Sequence, residues 1–188
     1  MKILKWIIGI LVVLALLFYF VAMPFLRTQT KKNSPETTAV YQEDGYDILV
    51  NYSSPFKKGR VIFGELVPYD KVWRTGANEP TRFETKTDLM IKGKPLPAGS
   101  YSLWTIPGES KWQIIFNSEI PDWGATLSSM GQDATRNPET DVLQVDANVI
   151  DMSAIQESFT ITFESDYGLF LTLVWDKTKV QVPIFRKT

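Results

Sequence analysis

The chain has 188 residues, 44% of them hydrophobic, no histidine, no cysteine and a formal net charge of −1. That length holds one well-cored domain rather than two. Without His or Cys the chain cannot build a Ser-His-Asp or Cys-His pair, a thiolate site or an ordinary zinc site, which leaves carboxylate, oxygen-ligated metal or lysine chemistry.

Residues 1–5 form a short tail carrying Lys2 and Lys5, and residues 6–26 (WIIGILVVLALLFYFVAMPFL) form an uncharged run. As a helix that run is about 31 Å long at roughly 1.5 Å per residue, matching the hydrocarbon core of a bilayer. A cleavable signal peptide is the rival reading, but its apolar region is usually about 7 to 15 residues and ends at a small-x-small site. Phe20 stands two positions before Ala22, so an uncleaved anchor is expected. Lys2 and Lys5 on one side nearly balance Arg27, Lys31 and Lys32 on the other. Long domains translocate largely regardless of charge, so the tail is expected in the cytoplasm and the domain outside it.

Residues 27–40 are polar and aperiodic, which reads as a flexible tether holding the domain near the membrane. From residue 41 to 188 the chain carries 15 basic and 20 acidic residues. An acidic domain without a basic block is not built to neutralise a phosphate backbone, so nucleic acid is excluded as a partner.

Over 41–188 the hydrophobic period is two, and the segments are short and rich in β-branched and aromatic residues. The pattern predicts strands at 46–52, 82–87, 89–92, 100–106, 112–117, 142–149, 158–164, 169–175 and 179–185. The strand at 169–175 is apolar on both faces and should lie centrally. Pro97 with Gly99, Pro107 with Gly108, and residues 176–178 read as hairpin connections. The predicted fold is all-β, an antiparallel β-sandwich of about nine strands after one transmembrane helix.

One stretch resists either period: KVWRTGANEP, residues 71–80. Bent by Thr75, Gly76 and Ala77, it can bring the Arg74 guanidinium beside the Glu79 carboxylate, with the Asn78 amide completing a network. Two readings follow. Arg74 binds an anionic or carboxylate-bearing ligand with Trp73 as a stacking wall, or Arg74 and Glu79 pair to satisfy a buried loop. Trp112 and Trp175 fall in strand patterns and read as core, whereas Trp73 and Trp123 lie in loop sequence. The candidate ligand-binding residues are therefore Trp73, Arg74, Asn78, Glu79 and Trp123.

Glu65, Asp70, Glu79, Glu109 and Asp122 all lie near aromatics, and a pair of them at the right separation would suit glycoside hydrolysis. Asp133, Asn137, Glu139 and Asp141 are oxygen ligands in one loop, but the glycine and glutamate of a calcium-binding EF-hand loop are missing, so no metal and no cofactor is expected. The leading expectation is a binding module at the membrane surface. The alternatives are a carboxylate hydrolase of envelope glycans and a structural partner that offers the edge of its last strand to another protein.

The ordered stretches SSPFKKGRVIFGELVPYDKVWRTGANEPT (53–81), IKGKPLPAGSYSLWTIPG (91–108), WQIIFN (112–117) and DWG (122–124) resemble the bacterial family catalogued as domain of unknown function 2911. The resemblance covers residues 46–184. It implies an exported protein without assigned chemistry. Members commonly carry a cleavable leader, in place of the long apolar run and polar stretch found here.

Overall fold

In the computed structural model, which describes residues 2–126, 129, 133–165 and 167–187, the N-terminal unit is one helix in three parts. They are α1 (Lys2–Leu17), a π-helical turn (Phe18–Ala22) and α2 (Met23–Asn33). The wide turn has a local cause. Pro24 has no N–H and crowds the preceding turn, and one turn opens so that Met23 donates to Phe18 O, five residues back. The stretch Ile3–Asn33 is long and apolar enough to cross a membrane. Trp6, Leu11, Val12 and Phe20 are each more than half exposed, as side chains facing lipid would be.

The polar stretch read as a tether is ordered differently from that expectation. Helix continues to Asn33, because extending a helix is far easier than nucleating one and Lys31 and Lys32 complement the dipole at its end. Glu36–Tyr41 then forms β1, where Thr, Val and Tyr suit a half-buried pleated surface.

The second unit, Ser34–Thr188, holds the remaining strands: β2 (Ile48–Ser53), β3 (Thr81–Thr85), β4 (Leu89–Ile91), β5 (Lys94–Leu96), β6 (Gly99–Ile106), β7 (Lys111–Asn117), β8 (Asp141–Glu164) and β9 (Leu169–Arg186). All nine belong to one antiparallel sheet, ordered β1-β2-β3-β6-β7-β8-β9-β4-β5. The two long strands turn this sheet into a sandwich. The start of β8 pairs with β7 as far as Asn148, and from Val149 onward β8 pairs with β9, with register shifts on either side of Gln156. Such irregularities bend a strand and increase its twist, letting one ribbon cross between two layers. The predicted strands at 142–149 and 158–164 are thus the two halves of β8, and those at 169–175 and 179–185 the two halves of β9.

The core lies between the layers. Val50, Phe83, Leu103 and Ile114 come from one layer, and Phe159, Leu171, Leu173 and Val182 from the other. Along β9, Leu171 through Trp175 are buried without interruption, as the double-sided apolar pattern required of an interior strand. The opposite face of β6 and β7 buries Trp104 and Ile115, whose positions pair across the two strands. Ser102 donates to Glu119 O and accepts from the Trp104 indole, tying the segment after β7 to this face.

One expectation is corrected: residues 176–178 lie inside β9 rather than in a turn. β9 pairs with β8 between Phe170 and Val180 and with β4 over Ile184–Arg186. The sheet's edges are β1 and β5.

Candidate functional site

The stretch at 71–80 leaves β-structure by a strained path. Its entry is fixed where Trp73 and Thr105 exchange backbone hydrogen bonds of 2.7 and 3.0 Å. Thr75 (φ 56°), Gly76 (φ 149°) and Asn78 (φ 61°) then take left-handed conformations. Side chains at such angles cost of order 1–3 kcal/mol unless their surroundings hold them. Here they are held. Thr75 is fully buried, its hydroxyl 3.2 Å from that of Thr105, and its carbonyl accepts from Thr81 Oγ1 at 2.5 Å. Asn78 is buried with its amide 3.4 Å from Ser53 Oγ, and a Cβ on Gly76 would stand 2.8 Å from Ser53 O. The loop is therefore moulded onto the end of β2.

Trp73 faces inward. Its ring stacks on Trp175 (centroids 6.0 Å, planes at 16°) and meets Phe63, Trp112 and Phe159 edge-on. Its indole N–H donates to Gly76 O at 2.9 Å, closing the turn. The stacking wall expected at Trp73 is thus part of an interior aromatic cluster. Those partners lie far away in sequence, so the loop-like setting of Trp73 gave no sign of them.

Among the described residues no ion pair joins Arg74 to Glu79. The Arg74 stem lies against Gly124, and its Nε is sealed from solvent without a hydrogen-bond partner among the described residues. Burial pushes the guanidinium below its ordinary pKa, although an arginine stays charged at any physiological pH. Trp123, half-buried, accepts the Thr135 hydroxyl at its carbonyl at 2.6 Å.

Glu79 turns the other way, into a cleft of about 640 Å³. One side is the start of β1 and the end of β2, with Glu36, Thr38, Asn51 and Ser53; the other brings Glu79, Pro80, Arg82 and the 120–122 segment. Asp122 is a third carboxylate beside Glu36 and Glu79. Arg82 is engaged by Glu84 at 2.7 Å, and Thr38 donates to Asn51 Oδ1 at 2.8 Å. Negative charge, hydroxyls and an amide therefore share one concave surface with Pro80, Ile120 and Pro121. Such a lining accepts hydrogen bonds from cationic or hydroxylated groups.

Of the residues lining the cleft, sequence reasoning singled out Glu79 and Asp122; Glu36 and Thr38 lie on β1, which reads as a polar tether. Of the other carboxylates considered for hydrolysis, Asp122 joins Glu79 in the cleft; Glu65, Asp70 and Glu109 do not line it. In the loop weighed for calcium, Asn137 caps the short helical turn by accepting from Glu139 N at 3.1 Å, and Asp141 pairs with Arg136.

The chain matches, over residues 34–184, a family model described as Protein of unknown function (DUF2911). No curated protein and no solved structure matches it.

Proposed function

The chain belongs to the DUF2911 family of proteins of unknown function, and from that premise we propose that it is a membrane-anchored binding module. Residues 6–26 span the membrane once, residues 1–5 stay in the cytoplasm, and the sandwich is displayed outside it. The cleft beside Glu79 takes a ligand rich in hydrogen-bond donors. The observation that carries this reading is the convergence of Glu36, Glu79 and Asp122 with the polar groups of β1 and β2 around one concave surface. The apolar length of the first helix supports the anchor.

Calorimetric titration of the whole chain in nanodiscs with cationic peptides and amino-sugar oligomers tests the binding reading. A ligand that binds wild type and loses about tenfold or more in affinity with Glu79→Gln or Asp122→Asn is the expected result. Binding that neither change weakens removes the cleft from the proposal. Mass determination of the mature chain tests the anchor, and a chain beginning beyond residue 26 overturns it.

A second reading has its own observation: Glu79 and Asp122 line the same cleft, as a general acid and its partner carboxylate must in a glycosidase. Turnover of envelope glycans that disappears in Glu79→Gln supports that reading, and binding without turnover rejects it.

A further inference from the structure

The arginines of the sandwich differ in how their charge is met. Arg60 donates to the carbonyls of Phe56 and Lys57, Arg82 pairs with Glu84, Arg136 pairs with Asp141, and Arg186 lies over the Tyr46 ring at 6.0 Å. Arg74 has none of these. Among the described residues its buried Nε meets no acceptor and no carboxylate forms an ion pair with its guanidinium.

A buried charge without a partner opposes folding, so folded proteins pair such groups or give them another use. The surroundings of Arg74 hold it in place. Its carbonyl accepts from Thr81 N at 3.1 Å, its Cβ and Cδ rest on the bare α-carbon of Gly124, and Gly124 N is tied to Asn78 O at 3.0 Å. The stem therefore has little freedom to swing toward a distant carboxylate. The residue as a whole is only half-buried, so the guanidinium is still reached from the surface. A cation fixed in a partly desolvated position and lacking its counter-charge is the arrangement of an anion receptor, and guanidinium geometry matches carboxylate and phosphate oxygens.

We propose that Arg74, cradled on Gly124, is a receptor for an oxyanion group, a carboxylate or a phosphate, carried by a ligand from outside the chain. This rests on the unmet charge of Arg74 and stands independently of the cleft, whose own carboxylates call for the opposite charge. The ligand supplies through the guanidinium the counter-charge that the fold omits.

Thermal unfolding and calorimetric titration of the full chain in nanodiscs, at constant ionic strength with chloride as the background anion, test the proposal. Sodium phosphate and sodium acetate are the probes, so the two arms separate phosphate from carboxylate. Wild type should show a saturable rise in melting temperature with at least one probe, with a dissociation constant on the order of millimolar for so small an anion. Arg74→Met, which keeps an unbranched stem and removes the charge, should bind at least about tenfold more weakly while melting no lower than wild type in chloride. If Arg74→Met fails to fold, the Nε–H resonance of Arg74 in wild type, identified by its loss in Arg74→Lys, gives the same answer by shifting with the probe. Equal responses of wild type and Arg74→Met, or an Nε–H resonance that no probe moves, overturn the proposal. Failure here leaves the cleft untouched, since Glu79→Gln and Asp122→Asn test that reading separately.

Discussion

The stem of Arg74 occupies the space that a side chain at Gly124 would need: a Cβ there would stand 2.5 Å from Arg74 Cδ, 2.8 Å from Arg74 Cβ and 2.9 Å from Asn78 O. Contacts this short force a shift, and both the arginine stem and the backbone of the 71–80 loop lie in the way. Gly124→Ala should therefore cost about 1–3 kcal/mol in urea unfolding, the usual cost of overpacking. The same change should weaken any ligand of the cleft, because Asp122 lies two residues away on the cleft wall. A variant as stable as wild type would show that Arg74 moves aside easily and is not held by its cradle.

Trp73 makes a contrasting prediction. A tryptophan on a ligand face can be removed without loss of stability, whereas Trp73 touches Phe63, Trp112, Phe159 and Trp175 and closes its own turn onto Gly76. Trp73→Ala should cost about 3–5 kcal/mol, as large-to-small changes in aromatic cores do. Near-ultraviolet circular dichroism should lose the signal of the Trp73–Trp175 stack, while a conservative Trp73→Phe should retain most of the stability. An unchanged urea midpoint in Trp73→Ala would place the ring outside the core.

What the sequence revealed depended on how local the determining physics is. Alternation at 46–52 and 112–117 predicts β2 and β7 because burial on one face of a strand writes a period of two directly into the chain. β1 escaped because Glu36–Tyr41 is polar, and its pairing with β2 is a property of the partner rather than of the segment. β5 is only Lys94–Leu96, too short for any period. The continuity of β8 was hidden by exposed residues on both sides of Gln156, where the strand crosses between layers and neither face is fully covered. Site residues followed the same rule. Composition singled out Glu79, but the cleft needs β1 and the 120–122 segment beside it, and the lack of an ion pair at Arg74 among the described residues shows only in three dimensions.

Tyr52 links the core to alkaline stability. It is buried, its hydroxyl 3.3 Å from Ile161 O, and burial holds its pKa above the ordinary phenol value. The folded chain thus keeps this proton at a pH where the unfolded chain has released it. Fewer protons on the unfolded state mean that stability falls as pH rises past about 10, by up to about 1.4 kcal/mol per pH unit for this one group. Burial shifts Tyr101 in the same direction. Tyr52→Phe should lose about 1 kcal/mol at pH 7, for the missing hydrogen bond, and show a shallower decline between pH 9 and about 11. An alkaline slope identical to wild type would assign that limb to other groups.

Asn117, at the irregularity that ends β7, offers a test in which one atom changes. The residue is buried, and its amide nitrogen donates to Asn137 O at 2.7 Å and to Asp141 Oδ1 at 2.8 Å. Its Oδ1 accepts from Glu119 N at 2.8 Å and from Thr140 Oγ1 at 3.0 Å. Asp141 is in turn bound by Arg136, so this side chain ties β7 to the short helical turn and the start of β8. Asn117→Asp keeps the shape and both acceptor bonds on Oδ1. It replaces two donors with an acceptor facing Asn137 O and the Asp141 carboxylate, one carbonyl and one like charge. The expected cost at pH 7 is about 3 kcal/mol. Burial and the neighbouring carboxylate both favour the protonated form of the introduced group, raising its folded pKa above the unfolded value. The penalty should therefore shrink as pH falls through that raised value, where a protonated carboxyl can donate to Asp141 again. Urea unfolding of wild type and Asn117→Asp at pH 7 and at about pH 4.5 measures the difference directly. A gap that narrows with acid identifies the lost donors and the like charge as its source, whereas a gap of constant size would assign it to packing alone.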